Sequence, residues 1–466
     1  MNTTRRSVFG RRYFFACLCL AAGAANAASA PGIGSSSTMS VPGTSGPRRT
    51  SPGPLGEGDQ PASWGIDAGV EYSDNVLRTA DQEVSDTIAD VGVTLNLDTQ
   101  RPRLDARASG NVQYREYLRD SADGEFVGGL NGALSFAISP QRLHWIAEEN
   151  FGQVAANERA VDSPNNRQNI NYFSTGPELT LPLGTRTDFQ LGGRWSDVQY
   201  SQTEADSQRI DANMALSRQL SETNSLSLNA STSSVDFKNS TLATATDYDV
   251  REAFLRYAGM GRRTTLSADV GYTELRPDGR ETSSGPLVRV TLDRKIGARS
   301  SLSWNAGREF ADSADIFRQD QSFAGAQVGG QDAAAIPDAF TADYTGLVLR
   351  VTGVRSQLSL SADWRREEHE TQTQLDRRLL GAGVSVNRRL TPRWTANVAV
   401  TYGRSEFADS ADEGNEWSAG LGLTRQLTQT VLMSLQLLHY DGSGSGTFND
   451  YEENRAMLRF TYTRVL

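Results

Sequence analysis

The run Thr265-Leu266-Ser267-Ala268-Asp269-Val270-Gly271-Tyr272 alternates at every step. Leu266, Ala268, Val270 and Tyr272 fall on one side of an extended chain. Thr265, Ser267, Asp269 and Gly271 fall on the other. A period of two marks a strand whose two faces meet different surroundings. The pattern returns at Leu358, Leu360, Ala362 and Trp364 against Gln357, Ser359, Ser361 and Asp363. It returns again at Leu104, Ala106, Ala108, Val112 and Tyr114 against Asp105, Arg107, Ser109, Asn111 and Gln113. A further copy sets Trp394, Ala396, Val398, Val400 and Tyr402 against Thr395, Asn397 and Thr401. The alternation starts near Trp64 and continues to the last residue.

The connections between these strands alternate in length. Tight turns fall near 100–103, 139–142, 183–186, 221–224, 259–263, 297–300, 352–355, 391–393 and 428–430. Longer polar loops fall near 73–85, 118–125, 153–168, 201–206, 238–246, 277–282, 312–336, 368–373, 408–415 and 441–450. Nineteen connections imply about 20 strands, within a range of roughly 16 to 22, and the first and last connections are both long. Outer-membrane barrels have this parity, with short periplasmic turns, long outer loops and both termini on the periplasmic side. Many strands exceed the roughly 5–6 residues usual in a soluble sheet. Their apolar face is thin, often Ala or Gly, which suits lipid better than a packed core. The expected fold is all-β: a single antiparallel transmembrane β-barrel over residues 63–466, closed so that no sheet edge meets lipid.

The N-terminus has a different character. Arg5, Arg6, Arg11 and Arg12 precede the apolar run Tyr13 to Ala24, and Ala25-Asn26-Ala27 offers a small-x-small cleavage site. Residues 1–27 are therefore expected to be a signal peptide. Residues 28–62 are rich in Gly, Ser, Pro and Thr and are expected to be a disordered linker. Both cysteines, Cys17 and Cys19, lie in the signal region, so no disulfide or cysteine chemistry is expected of the mature chain. Removing four arginines from the 46 basic residues leaves 42 against 56 acidic ones, a net of -14, which disfavours nucleic acid as a partner.

The last strand carries Leu458, Phe460 and Tyr462 on one face, with Leu466 at the terminus. Such a strand resembles the signal read by the barrel-insertion machinery, although Arg464 shares the apolar face and Leu466 replaces the usual terminal Phe. Trp145, Trp304 and Trp394 each follow a tight turn, where a periplasmic aromatic girdle belongs. Outer-membrane lipid and lipopolysaccharide are the expected surroundings, in a Gram-negative outer membrane.

Little in the sequence speaks for catalysis. The three histidines, His144, His369 and His439, are far apart. In Glu367-Glu368-His369-Glu370 a strand would place Glu367 and His369 on one face and the other two away, so a solvated charge cluster is the plainer reading than a metal site. No nucleophile elbow or phosphate loop occurs. Enzymatic activity is not expected, and no catalytic, cofactor or metal residue is assigned.

Three other features have two readings each. The heptapeptide Glu309-Phe310-Ala311-Asp312-Ser313-Ala314-Asp315 recurs unchanged from Glu406 to Asp412, with a short copy at Asp120-Ser121-Ala122-Asp123. Asp/Ser turn chemistry explains it most simply, and divalent-ion binding is the alternative. Arg107, Arg194, Arg350 and Arg365 lie on or near polar faces, with Asp105, Asp269 and Asp363 on comparable ones. They either line a hydrated pore or pair into a network that fills it. The small-residue loop at 312–336 reads first as a surface loop, and otherwise as a constriction folded into the lumen.

At the first strand, Gly69-Val70-Glu71-Tyr72-Ser73-Asp74-Asn75-Val76 resembles the opening of a family of outer-membrane β-barrels found with exopolysaccharide and exosortase (PEP-CTERM) gene clusters. The resemblance implies a porin-like barrel linked to exopolysaccharide export or surface assembly, with polysaccharide or export-complex proteins as partners. It transfers no functional residues. The alternatives are a general diffusion porin and a structural or adhesin-like barrel without transport.

Overall fold

A computed structural model describes residues 62–465, apart from 239–245, 323–334, 409, 411, 447 and 449. The expected signal peptide, Cys17, Cys19, nearly all of the expected linker, Asp409, Ala411 and Leu466 lie outside the described residues.

Twenty strands make up the sheet. The first ten are β1 (Ser63–Ser73), β2 (Asp86–Arg101), β3 (Leu104–Tyr117), β4 (Glu125–Ser139), β5 (Leu143–Ala155), β6 (Arg167–Pro182), β7 (Thr187–Tyr200), β8 (Ser207–Gln219), β9 (Asn224–Phe237) and β10 (Tyr248–Met260). The next five are β11 (Thr264–Pro277), β12 (Ser283–Lys295), β13 (Ser300–Ala311), β14 (Phe340–Thr352) and β15 (Ser356–His369). The last five are β16 (Arg377–Thr391), β17 (Trp394–Phe407), β18 (Glu413–Gln426), β19 (Val431–Ser445) and β20 (Tyr451–Val465). A helix, α1 (Ser313–Ser322), lies in the loop between β13 and β14.

Each strand pairs antiparallel with its sequence neighbour, and β1 pairs with β20 from Ser63↔Val465 to Ser73↔Arg455. The sheet therefore closes, and the backbone is satisfied within the ring, as a lipid-spanning structure requires. Even-numbered strands enter turns of two to four residues, and odd-numbered strands enter the longer loops, up to the one at 312–339. The expected strand number and turns appear, and so do the loops, except that 239–245 of the expected 238–246 loop lies outside the described residues. One boundary differs: residues 441–445, expected in a loop, continue β19, because Gly442 to Ser445 pair with Glu413 to Glu416. Their Gly/Ser composition hides a strand held by backbone pairing alone.

The outward face is apolar along the middle of the barrel, with charged pairs such as Arg366–Glu368 towards the loop end. Val270 is 63% exposed, Ile210 62% and Leu228 61%. Exposure on this scale around a whole ring is an aggregation liability in water and ordinary in lipid. Trp145 stands outward near the tight turns, while Tyr72, Tyr114, Phe126, Tyr272, Trp364 and Trp417 stand outward towards the loop end. These are the two aromatic girdles of a membrane-spanning barrel. Leu458, Phe460 and Tyr462 face outward as the alternation requires.

Candidate functional site in the barrel lumen

Inward side chains change character along the axis. On β2, Asp86, Ile88, Asp90 and Gly92 are buried at the loop end, whereas Asp98 near the turn is exposed. On β3, Gln113 and Tyr117 are buried, while Arg107 is 48% exposed beside Asp98 and Asp105, each 3.7 Å away. The turn half of the lumen is hydrated and the loop half is filled.

Two loops do the filling. The hydrophobic cluster around α1 joins Ala314, Ile316 and Phe317 to Val154, Ile170, Tyr172 and Val198 on β5, β6 and β7. It also includes Ala311, Phe340 and Ala342 on β13 and β14. In a ring of twenty, β6 and β14 lie eight strands apart, so α1 bridges the lumen. The described ends of the 312–336 loop therefore fold inward, and the surface reading is corrected. The physical reason is burial of Ile316 and Phe317, which repays ordering of the loop at roughly 1.5–3 kcal/mol for each fully buried large apolar side chain. The loop at 156–166 crosses as well. Arg159 pairs with Asp412 at 3.0 Å, beyond β17, and its guanidinium lies 4.7 Å from the Phe407 ring centre. Ala335 N–H donates to Ala155 O at 3.2 Å, which ties the two loops together.

Ion pairs lock this arrangement: Arg194 and Arg365, the latter 3.7 Å from Glu367, belong to a network, whereas Arg107 lines the exposed turn half. Arg194 pairs with Glu178 at 3.2 Å, and Arg256 with Asp269 at 2.6 Å. Arg289 pairs with Glu252 at 2.7 Å and with Glu309 at 2.5 Å. The repeat is also absorbed. Asp312 pairs with Arg209, accepts a hydrogen bond from the Tyr248 hydroxyl at 2.7 Å, and caps α1 by accepting from the Asp315 N–H at 2.9 Å. Among the described residues no group of three or more His, Cys, Asp or Glu side chains is placed to hold a metal ion. Glu367 and His369 share an inward face as expected, yet they are buried: Glu367 pairs with Arg377 at 2.6 Å. The solvated-cluster reading is corrected there, while Glu368 points outward to Arg366.

The Gly69–Val76 motif lies where the barrel closes. Glu71 faces inward to Arg115 at 2.8 Å and Arg455 at 3.4 Å. The Ser73 hydroxyl donates to Glu453 at 2.6 Å. Asp74 accepts from the Asn454 N–H at 2.7 Å, across the β1–β20 seam. Asn75 donates to Thr79 O at 2.8 Å and Glu452 O at 3.0 Å, shaping the turn that delivers Arg78. Arg78 adopts a left-handed backbone with φ of 53°. Its guanidinium contacts Glu453 at 2.9 Å, Glu416 at 3.0 Å and Asp162 at 3.9 Å, and stacks 4.4 Å from the Tyr440 ring centre. Burial opposes the Arg78 charge, but these carboxylates outweigh it and hold the group above its ordinary range. Burial would likewise push Asp162 up, and the Arg167, Arg78 and Arg455 guanidinium groups instead hold it down at about 2. Arg78, Asp162 and Arg209 escape sequence reading. Each is one polar residue among many until the ring brings its partners within reach.

Asp315 gives the closure a pH dependence. Burial, together with the negative charge of Asp312, pushes its carboxyl up to about 6, against Arg209 and Arg318 and with Asp211 adding to the rise. Asp312 goes the other way: burial is outweighed by Arg209 and Tyr248, and the carboxyl lies below its usual 3.8. A raised carboxyl binds its proton more tightly in the closed state. Its contribution is therefore complete below pH 3.8 and is lost as pH rises through about 6. The hold on α1 should weaken over that window by on the order of 1 kcal/mol, discounted for partial exposure of Asp315. Limited proteolysis within α1 should quicken between pH 4 and 6, and Asp315→Asn should abolish the change. A rate that slows over the same window would contradict this sign.

No protein-family profile and no curated protein matches the chain. Among solved structures it is similar to the ferric enterobactin receptor of Pseudomonas aeruginosa, at 10% identity and a TM-score of 0.45, covering 87% of this chain and 80% of that one. It is similar to the FrpB iron transporter of Neisseria meningitidis in its apoprotein form, at 10% identity and a TM-score of 0.46, covering 87% and 81%. It is also similar to OccAB4 of Acinetobacter baumannii, at 11% identity and a TM-score of 0.36, covering 87% and 99%.

Proposed function

We propose that the protein is a porin-like barrel of a Gram-negative outer membrane that serves export or surface assembly of an exopolysaccharide, with its lumen closed at the loop end in the resting state. The observation that carries this reading is the asymmetry of the lumen. A hydrated half opens at the turn end, where Arg107 is exposed, and a half filled by α1, the 156–166 loop and paired charges closes the other end. A general diffusion porin needs a standing water path, and such a fill opposes one. A closed vestibule suits a substrate delivered from the periplasmic side. The resemblance at Gly69–Val76 supports the exopolysaccharide as that substrate.

Deletion of the gene tests it. Surface polysaccharide should fall and polysaccharide should accumulate in the periplasm, with the wild-type protein recovered in the outer-membrane fraction and migrating more slowly after boiling. Unchanged surface polysaccharide overturns the export reading. The same filled lumen supports a structural barrel without transport, and the conductance of an opened variant, argued below, separates the two.

A further inference from the structure

Between the 156–166 loop and the inward wall of β16–β19 lies a half-open cleft of about 120 Å³. Its wall is unusually smooth because Gly381, Gly403, Gly414 and Gly442 stand on four successive strands. Two of these glycines carry flat rings. A Cβ on Gly442 would lie 2.1 Å from the Tyr451 ring, and one on Gly414 would lie 2.7 Å from the Phe448 ring. The glycines thus let both aromatic side chains lie against the sheet at the cleft.

The polar groups of the cleft are biased towards acceptors. Its cations are taken: Arg377 by Glu367 at 2.6 Å, Arg404 by Glu406 and by Glu413 at 3.0 Å, and Arg159, above it, by Asp412 at 3.0 Å. Glu158 lines the cleft without an ion pair or hydrogen bond among the described residues. Ser405 lines it too, and its hydroxyl is buried with no hydrogen-bond partner. A buried polar atom left unpaired is costly, and a bound hydroxyl would remove that cost. Asp162, Asp363 and Glu416 add further carboxylates to the lining, which disfavours an acidic ligand.

We infer that this cleft is a binding subsite for a saccharide segment without acidic groups, neutral or amine-bearing. A sugar ring would lie against Phe448, and its hydroxyl or amino groups would donate to Glu158 and meet Ser405. The inference deepens the export reading by naming its substrate class, and it rests on that reading for the direction of travel.

The test is isothermal titration of the full-length mature protein, in a detergent that carries no sugar. The probes are glucose hexamers and glucosamine hexamers, with galacturonate hexamers as the acidic comparison. Both neutral and amino hexamers should bind and the acidic hexamer should not. Glu158→Gln should weaken the glucosamine hexamer by about tenfold, and Ser405→Val should weaken both probes by a similar factor. Gly403→Leu, which fills the wall, should abolish binding while heat-modifiable migration verifies a folded barrel. Binding of neither probe, preference for the acidic hexamer, or affinities unmoved by Ser405→Val and Gly403→Leu would each overturn the subsite. Loss of polysaccharide export on gene deletion without binding would remove the subsite and leave the export reading. Binding that responds to the variants without an export defect would do the reverse.

Discussion

Replacing Arg78 by leucine should destabilise the loop half of the barrel by about 3–5 kcal/mol, the usual cost of removing one partner from a buried ion pair. The substitution leaves Glu416 without its cation and fully buried Glu453 with Arg455 alone, and it strips the Arg78 stacking on Tyr440 and Tyr451. The measurement is urea unfolding in detergent micelles, followed by tryptophan fluorescence and heat-modifiability. Arg78→Lys should recover only part of the loss, because a compact ammonium cannot serve two carboxylates and two rings at once. Adding Glu416→Gln to Arg78→Leu should cost less than the sum of the two single changes, since the second removes a charge the first has orphaned. Strict additivity would mean that the two groups do not interact energetically, and the lock at the β1–β20 seam would then have to lie elsewhere.

The second large effect is functional. Wild-type protein in planar bilayers should show little steady conductance, despite a ring of a size that in open barrels leaves a channel. Asp312→Ala removes the nearer partner of buried Arg209, the acceptor of the Tyr248 hydroxyl and the N-cap of α1 together. Arg209 keeps Asp315 at 3.3 Å but loses its nearer carboxylate, at a cost of up to about 3 kcal/mol, and the lost cap adds about 1 kcal/mol. Against a closed state held by a few kcal/mol, that is enough to make release of α1 the major state. A large, stable conductance should therefore appear. Tyr248→Phe, which removes a single hydrogen bond, should produce only brief openings. A silent Asp312→Ala barrel that is verified as folded would place the seal elsewhere and favour the structural reading over transport.

Much of the architecture is legible in the sequence alone. Alternation such as Leu266 to Tyr272 is a property of adjacent residues, and the lengths of turns and loops are properties of short segments. Together they determined the strand number, the side on which each connection lies, the outward face and the closed ring. Those features depend only on local periodicity and on the rule that lipid tolerates no unpaired backbone.

The interior was decided by tertiary structure. The repeated heptapeptide makes the reason plain. Glu309 faces inward to Arg289 and Tyr344, whereas Glu406, in the same seven residues, faces outward beside Arg404, and it is Phe407 that turns into the lumen. A shift of one residue in register exchanges the two faces of a strand, and the string itself carries no record of which register it will enter. The plug follows the same logic. Arg78 meets Glu453, Arg209 meets Asp312 and Arg159 meets Asp412 across sequence separations of 375, 103 and 253 residues. Each partner is one charge among many until closure of the ring places the two within 3 Å or so. The choice between a hydrated pore and a sealed one was therefore made by the geometry of the closed ring and by the burial of α1, not by any residue taken alone.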